Sequence, residues 1–174
     1  MRIIGIDPGS RVTGYGVIEV EGNSYRHLTS GCLHVAEAEL GARLKEIFNG
    51  VRDVLAEFRP EAMAVEKVFV QRNVDSALKL GQARGAAICA GALSELPIFE
   101  YSPNKIKQTV VGKGHAAKEQ VQHMVKILLN LRQAPPADAA DALACALCHG
   151  QISRTLSRYS AAEQAALAAR WRGI

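Results

Sequence analysis

Four acids stand out because of the residues that precede them. Asp7 closes the run Arg2-Ile3-Ile4-Gly5-Ile6, and Glu66 closes Ala62-Met63-Ala64-Val65. Each follows apolar residues, where an unpartnered carboxylate is costly to desolvate. Asp138 and Asp141 are three residues apart, which on a helix puts them on one face, about 60° apart. Extending that face leads to Cys145 and Cys148, which suit packing against a sheet. Ala137, Ala139, Ala140, Ala142 and Ala144 keep the same helix slim enough for close approach. If the two strand ends share an edge, the four carboxylates converge. Two bare carboxylates about 4 Å apart repel by roughly 4 kcal/mol at an effective dielectric of about 20. Such a cluster persists only if it is protonated or neutralised by cations. All-oxygen ligands suit magnesium or manganese, and the chemistry open to them is metal-assisted hydrolysis of a phosphate ester.

Each acid also has a plainer origin. An Asp before Pro-Gly is a common turn residue, Glu66 can be the exposed end of a strand, and acids are favoured near a helix start. Composition narrows the choice only mildly. The chain has 174 residues, of which 48% are hydrophobic and 22% charged, the balance of an ordinary single globular domain. A net charge of +4 and a pI near 9.0 lean towards a polyanionic partner. No apolar run approaches the roughly 20 residues of a membrane span. The N-terminal segment does not read as a secretory signal, so the expected location is the cytoplasm, with the four cysteines reduced.

The elements that must position the acids can be read from pattern. Residues 2–7 read as a buried strand ending at Asp7-Pro8-Gly9-Ser10, residues 13–20 as a second, and about 25–34 as a third after Glu21-Gly22-Asn23-Ser24. Leu40, Leu44, Ile47, Phe48, Val51, Val54, Leu55 and Phe58 mark one face of a helix that Pro60 stops. Residues 62–66 read as a central strand buried on both faces, followed by a helix over about 75–95 and a strand near 98–101. Ser102-Pro103 opens a short helix, residues 117–129 make another, and Pro135-Pro136 starts one that runs to about His149. The predicted fold is α/β, a mixed five-stranded sheet flanked by helices. The helix over 75–95 is apolar nearly all round, which predicts cover on two sides. The sheet supplies one cover; a two-fold partner or a neighbouring helix supplies the other.

Four segments carry a closer likeness. Ile4-Gly5-Ile6-Asp7-Pro8-Gly9-Ser10, the run from Asp75 to Gly85 (DSALKLGQARG), Ile106-Lys107-Gln108-Thr109-Val110-Val111-Gly112 and Asp138-Ala139-Ala140-Asp141-Ala142-Leu143-Ala144 resemble, in collinear order over about residues 1–150, the RuvC family of bacterial Holliday-junction resolvases. The resemblance implies a ribonuclease-H-like nuclease domain over 1–150, acting as a homodimer that places paired symmetric nicks across a four-way DNA junction in recombination and repair. It implies that Asp7, Glu66, Asp138 and Asp141 hold two Mg2+ ions per site, with Mn2+ as a substitute, and that the products carry 5′-phosphate and 3′-hydroxyl ends. Lys118 matches a family lysine beside the site, Lys107 one on the DNA surface, and Phe69 an aromatic that stacks on junction bases. Arg72, Lys105 and Lys113 are expected to contact phosphates. The branch-migration proteins RuvA and RuvB are the partners implied. A lone lysine is more often on a solvated face, and an aromatic in Val68-Phe69-Val70 more often in a core.

Other readings compete. Cys145-Ala146-Leu147-Cys148-His149 spells a haem-attachment pattern, but its place on a core-facing stripe argues for packing. A zinc site with Cys32 and His34 lacks a second pair at zinc-finger spacing, and Gly112-Lys113-Gly114 is too short for a P-loop. Asp7-Pro8-Gly9 followed by Gly14 looks like the phosphate turn of actin-like ATPases and sugar kinases, which need two such domains. A non-cutting junction-binding module, or a nuclease acting on RNA–DNA hybrids, would share much of the pattern. Residues 151–174 form a basic C-terminal tail containing Arg154, Arg158, Arg170 and Arg172, with a capping-box pattern at Ser160–Glu163; a helical or frayed end is expected.

Overall fold

The computed structural model describes residues 1–36, 39–68 and 74–157. Strands β1 (Arg2–Asp7), β2 (Val12–Glu21) and β3 (Ser24–His34) form an antiparallel meander. Gly22, at φ 56°, makes the tight turn between β2 and β3. Helix α1 (Leu40–Phe58) follows, and Arg59 ends it in the left-handed conformation, its N–H donating to the Leu55 carbonyl, just before Pro60. Strand β4 (Ala62–Glu66) then runs parallel to β1. Helix α2 (Val74–Leu93) leads to β5 (Ile98–Tyr101), which is parallel to β4. The sheet order is β3-β2-β1-β4-β5. Helices α3 (Pro103–Val111), α4 (Lys118–Leu128) and α5 (Ala137–Leu156) complete the chain. Ser102 caps α3 by accepting from the Lys105 N–H, and the Gln120 side chain accepts from the Ala117 N–H at the start of α4.

Strand alternation sorts the core into two layers. Ile4, Ile6, Met63 and Val65 face α1 and α2, where they meet Ile47, Val51, Ala83 and Ala87. Ile3 and Ala64 face the other way, towards Leu143, Ala144, Leu147 and Cys148 of α5, with Ile106, Val110, Val121 and Val125 of α3 and α4 beyond. By the same alternation Asp7 and Glu66 project on the α5 side. The pairing of Ile6 with Val65 puts these two acids side by side one residue later, at the carboxyl ends of neighbouring parallel strands. That edge is where open α/β sheets bind ligands.

One element differs from what pattern predicts. The last helix does not stop near His149 but continues to Leu156, because Ile152 is buried and Leu156 packs against the core. Arg154 therefore belongs to that helix, where it lies over the Tyr25 ring and donates to the Tyr25 hydroxyl. Helix α2 meets the sheet and α1 through Ala83, Ala87, Ala90 and Gly91, while Val74, Leu78 and Leu93 are exposed. The Cys145 and Cys148 side chains are fully buried, as the packing reading of that stripe requires. No helix among the described residues is long and apolar enough to cross a membrane.

Candidate active site

The site is made by how closely α5 lies on the sheet. A Cβ on Gly5 would stand 1.9 Å from the Ala142 carbonyl oxygen, and one on Gly14 2.0 Å from that of Asp138. Gly5 pairs with Gly16 and Asp7 with Gly14 across β1 and β2, so glycines open a stripe on which the helix backbone rests. The first turn of α5 is thereby set down beside the end of β1. Asp7, Asp138 and Asp141 each bring a carboxylate oxygen to within 4.8 Å of the others. Among the described residues no other group of His, Cys, Asp or Glu gathers in this way.

Glu66 joins this triad from one side. It is hydrogen-bonded to the Asp7 carboxyl and lines a cleft of about 220 Å3 with Asp141, Ala144, Pro103, Ile106, Val121, Lys107 and Lys118. The charges are poorly solvated. Burial first, then Glu66, Asp141 and Asp138, push the Asp7 carboxyl up to about 8, against the pull of the Lys118 ammonium. Burial and Asp141 also raise Glu66, while the hydrogen bond from Asp7 and the two lysines hold it down. Such crowding of negative charge is relieved by a proton or by a cation.

Lys118 stands at the first turn of α4, its Nζ 2.7 Å from Asp141 Oδ2. This hydrogen bond has the largest effect and raises the lysine pKa; burial, next in size, lowers it, and the charges of Asp141, Asp138 and Asp7 raise it further. The turn after Asp7 is fixed by Thr13, fully buried, whose hydroxyl donates to the Gly9 carbonyl at 3.0 Å and accepts from the Gly9 N–H at 3.4 Å. Four carboxylates with oxygen donors only, three of them converging, fit hard divalent cations and offer nothing to soft ones.

Of the residues singled out from sequence, the structure brings together Asp7, Glu66, Asp138, Asp141, Lys107 and Lys118. Lys105 lies on α3 but outside the cleft lining, where its charge acts on Cys148. Lys113 is exposed on the turn between α3 and α4. Phe69 and Arg72 lie outside the described residues. Sequence reasoning gave Gly5 and Gly14 no part in seating α5, and it missed Thr13. The signal for the glycines was available in Gly14 and Gly16, which share one face of a strand and leave it without side chains.

Comparison with known proteins agrees with this geometry. Residues 3–149 match the family model described as crossover junction endodeoxyribonuclease RuvC. The protein of that name from Pectobacterium carotovorum is 54% identical over 170 residues, covering 98% of each chain. That of Pseudoalteromonas translucida is 56% identical over 154 residues, covering 88% of each. Among solved structures, Thermus thermophilus RuvC in complex with a Holliday junction substrate superposes with a TM-score of 0.85 at 40% identity, covering 89% of this chain and 96% of that one.

Proposed function

The chain belongs to the crossover junction endodeoxyribonuclease RuvC family, with its ribonuclease-H-like fold, and from that premise we propose that it resolves Holliday junctions by paired symmetric nicks. Each nick is the hydrolysis of one phosphodiester, leaving 5′-phosphate and 3′-hydroxyl ends, in homologous recombination and DNA repair. The observation that carries the reading is the convergence of the Asp7, Asp138 and Asp141 carboxylates within 4.8 Å, beside Glu66 and facing Lys118.

Asp7, Glu66, Asp138 and Asp141 would hold two magnesium ions, with manganese as a substitute, which when bound supply the Lewis acidity that activates water and stabilises the departing 3′ oxygen. The protein's own groups do the rest. Lys107 and Lys118 line the cleft, where they attract the scissile phosphate and offset charge that builds on it in the transition state. Pro103, Ile106, Val121 and Ala144 form an apolar wall that limits water and leaves room for a sugar ring. Thr13 holds the turn after Asp7 so that its carboxylate stays aimed at α5. Lys105 and Lys113 would contact DNA outside the cleft, and Phe69 and Arg72 are further proposed DNA contacts. No serine or cysteine nucleophile is required.

A homodimer fits a substrate with two-fold symmetry. The exposed side of α2 supports this, since Val74, Leu78, Gly81, Gly85 and Cys89 fall on one stripe at 100° per residue. Gly81 and Gly85 face open space, which would let a second helix approach closely. Family membership supports RuvA and RuvB as proposed partners and the cytoplasm as the proposed location.

The deciding experiment compares wild type with Asp7→Asn on a synthetic four-way junction, with and without magnesium. Wild type should nick two opposed strands only with the metal. The variant should bind the junction and leave it whole, and linear duplex should be a poor substrate for both. Equal cutting of duplex and junction would remove the resolvase reading and leave a general nuclease; cutting of RNA–DNA hybrid in preference to the junction would point to the other member of this chemistry.

A further inference from the structure

Glu66 ends β4 in an unusual main-chain setting. The Met63 and Lys67 N–H groups donate to the β5 side, to Pro97 and Tyr101 carbonyls. Main-chain groups alternate in direction along a strand, so the Glu66 carbonyl is turned to the β1 side. The next position there is Pro8, which has no N–H to give. The β1–β4 ladder therefore ends one bond short at the residue carrying a site carboxylate. Arg84 supplies the missing donor. It reaches from α2, on the face of the sheet opposite α5, and its Nε donates to the Glu66 carbonyl at 3.4 Å. The same guanidinium forms an ion pair with Glu100, which stands opposite Val65 on β5. Its planar fork thus spans two adjacent strands at the edge where the acids gather, and it is 22% exposed.

We infer that Arg84 is a positioning residue for Glu66, fixing the end of β4 from behind so that the carboxylate on the other face keeps its place beside Asp7. Arg84 meets Glu66 through its main chain and is not among the residues that line the cleft. Its leverage comes from the main chain, since rotation of the Glu66 peptide would swing the side chain away from the triad. Arg84 also sits between Gly81 and Gly85 on the helix whose outer stripe is the proposed subunit contact, so this tie links that helix to the site. The inference rests on the proposed function only in taking Glu66 as a metal ligand.

The test uses the full chain with Arg84→Met, Arg84→Lys and Glu100→Gln. Magnesium binding is read by calorimetry without DNA, and kcat and KM are read on a synthetic junction. Arg84→Met, which keeps the stem but no donor, should weaken magnesium binding about tenfold or more and lower kcat with KM for the junction little changed. Arg84→Lys should recover part of both, and Glu100→Gln, which keeps the donor to Glu66, should lie near wild type. Lower thermal stability in Arg84→Met with wild-type magnesium affinity and kcat would overturn the inference, leaving Arg84 as a strand tie only. If Arg84→Met does not fold, Arg84→Lys decides: unchanged affinity refutes, weakened affinity supports. Nicking by Asp7→Asn would instead defeat the proposed function, which separates the two failures.

Discussion

Asp7→Asn should make the metal-free protein more stable above neutral pH, and the surroundings of Asp7 set the amount. Burial and the carboxylates of Glu66, Asp141 and Asp138 lift its pKa from 3.8 to about 8. The folded state thus keeps a proton that the unfolded chain releases. This contribution to stability is fully present below 3.8 and is lost as pH rises through about 8. His149 acts in the opposite sense. Burial lowers its pKa from 6.5 to about 4, so between those values unfolding takes up a proton and stability grows with pH. The two slopes oppose each other over most of that range, and only the carboxyl slope remains above 6.5. One proton per pH unit is worth about 1.4 kcal/mol. Wild type without metal should therefore lose roughly 2 kcal/mol between pH 6.5 and 8, or about 4–8 °C in Tm for a chain of this length. Glu66, raised by burial and by Asp141, adds loss of the same sign, and the hydrogen-bonded pair titrates as one unit. The assay is thermal unfolding in chelator at several pH values, repeated with excess magnesium. Asp7→Asn should flatten the alkaline slope, and magnesium should flatten it for wild type. A metal-free wild-type Tm that is constant or rising across this window, or a variant that keeps the slope, would refute the reasoning.

Three further outcomes are expected. Lys118→Met removes the ammonium that partly neutralises Asp141, so magnesium should bind several-fold more tightly by calorimetry while the cleavage rate on a junction falls. Gly5→Ala puts a methyl group where the Ala142 carbonyl already stands; chemical denaturation should show a loss of about 1–3 kcal/mol, and nicking should fall because α5 carries Asp138 and Asp141. Leu78→Glu, on the exposed stripe of α2, should shift the protein to a monomer by sedimentation without lowering its magnesium affinity.

The sheet and its helices were legible because period carries them. Strands ending at Asp7 and Glu66 alternate or run apolar, and α1 repeats its apolar positions every three to four residues. The three-residue spacing of Asp138 and Asp141 is enough to place both on one helix face. What spacing cannot encode is depth, the distance between a helix backbone and the sheet beneath it. That depends on glycines in strands distant in sequence from the helix, and on which of them face it. The alanines of α5 supply half of the contact, whereas Gly5, Gly14 and Gly16 supply the other half, which spacing within the helix does not show. Arg84 was hidden for a related reason: its partner is a main-chain oxygen, made available by a proline on a third element. The length of α5 was underestimated because Ile152 and Leu156 continue its packing beyond a stretch that reads as a natural end.

The backbone contact between α5 and β1 has a consequence for how the enzyme fails. No side chains lie between the two surfaces at Gly5, so nothing there can repack to absorb a small separation. Heat or denaturant that lifts the helix must break the centre of the molecule at the same moment. Amide protons of Ala142 to Cys148 should accordingly exchange with solvent only through complete unfolding, and thermal inactivation should track the collapse of the whole domain, with no inactive yet still folded state preceding it.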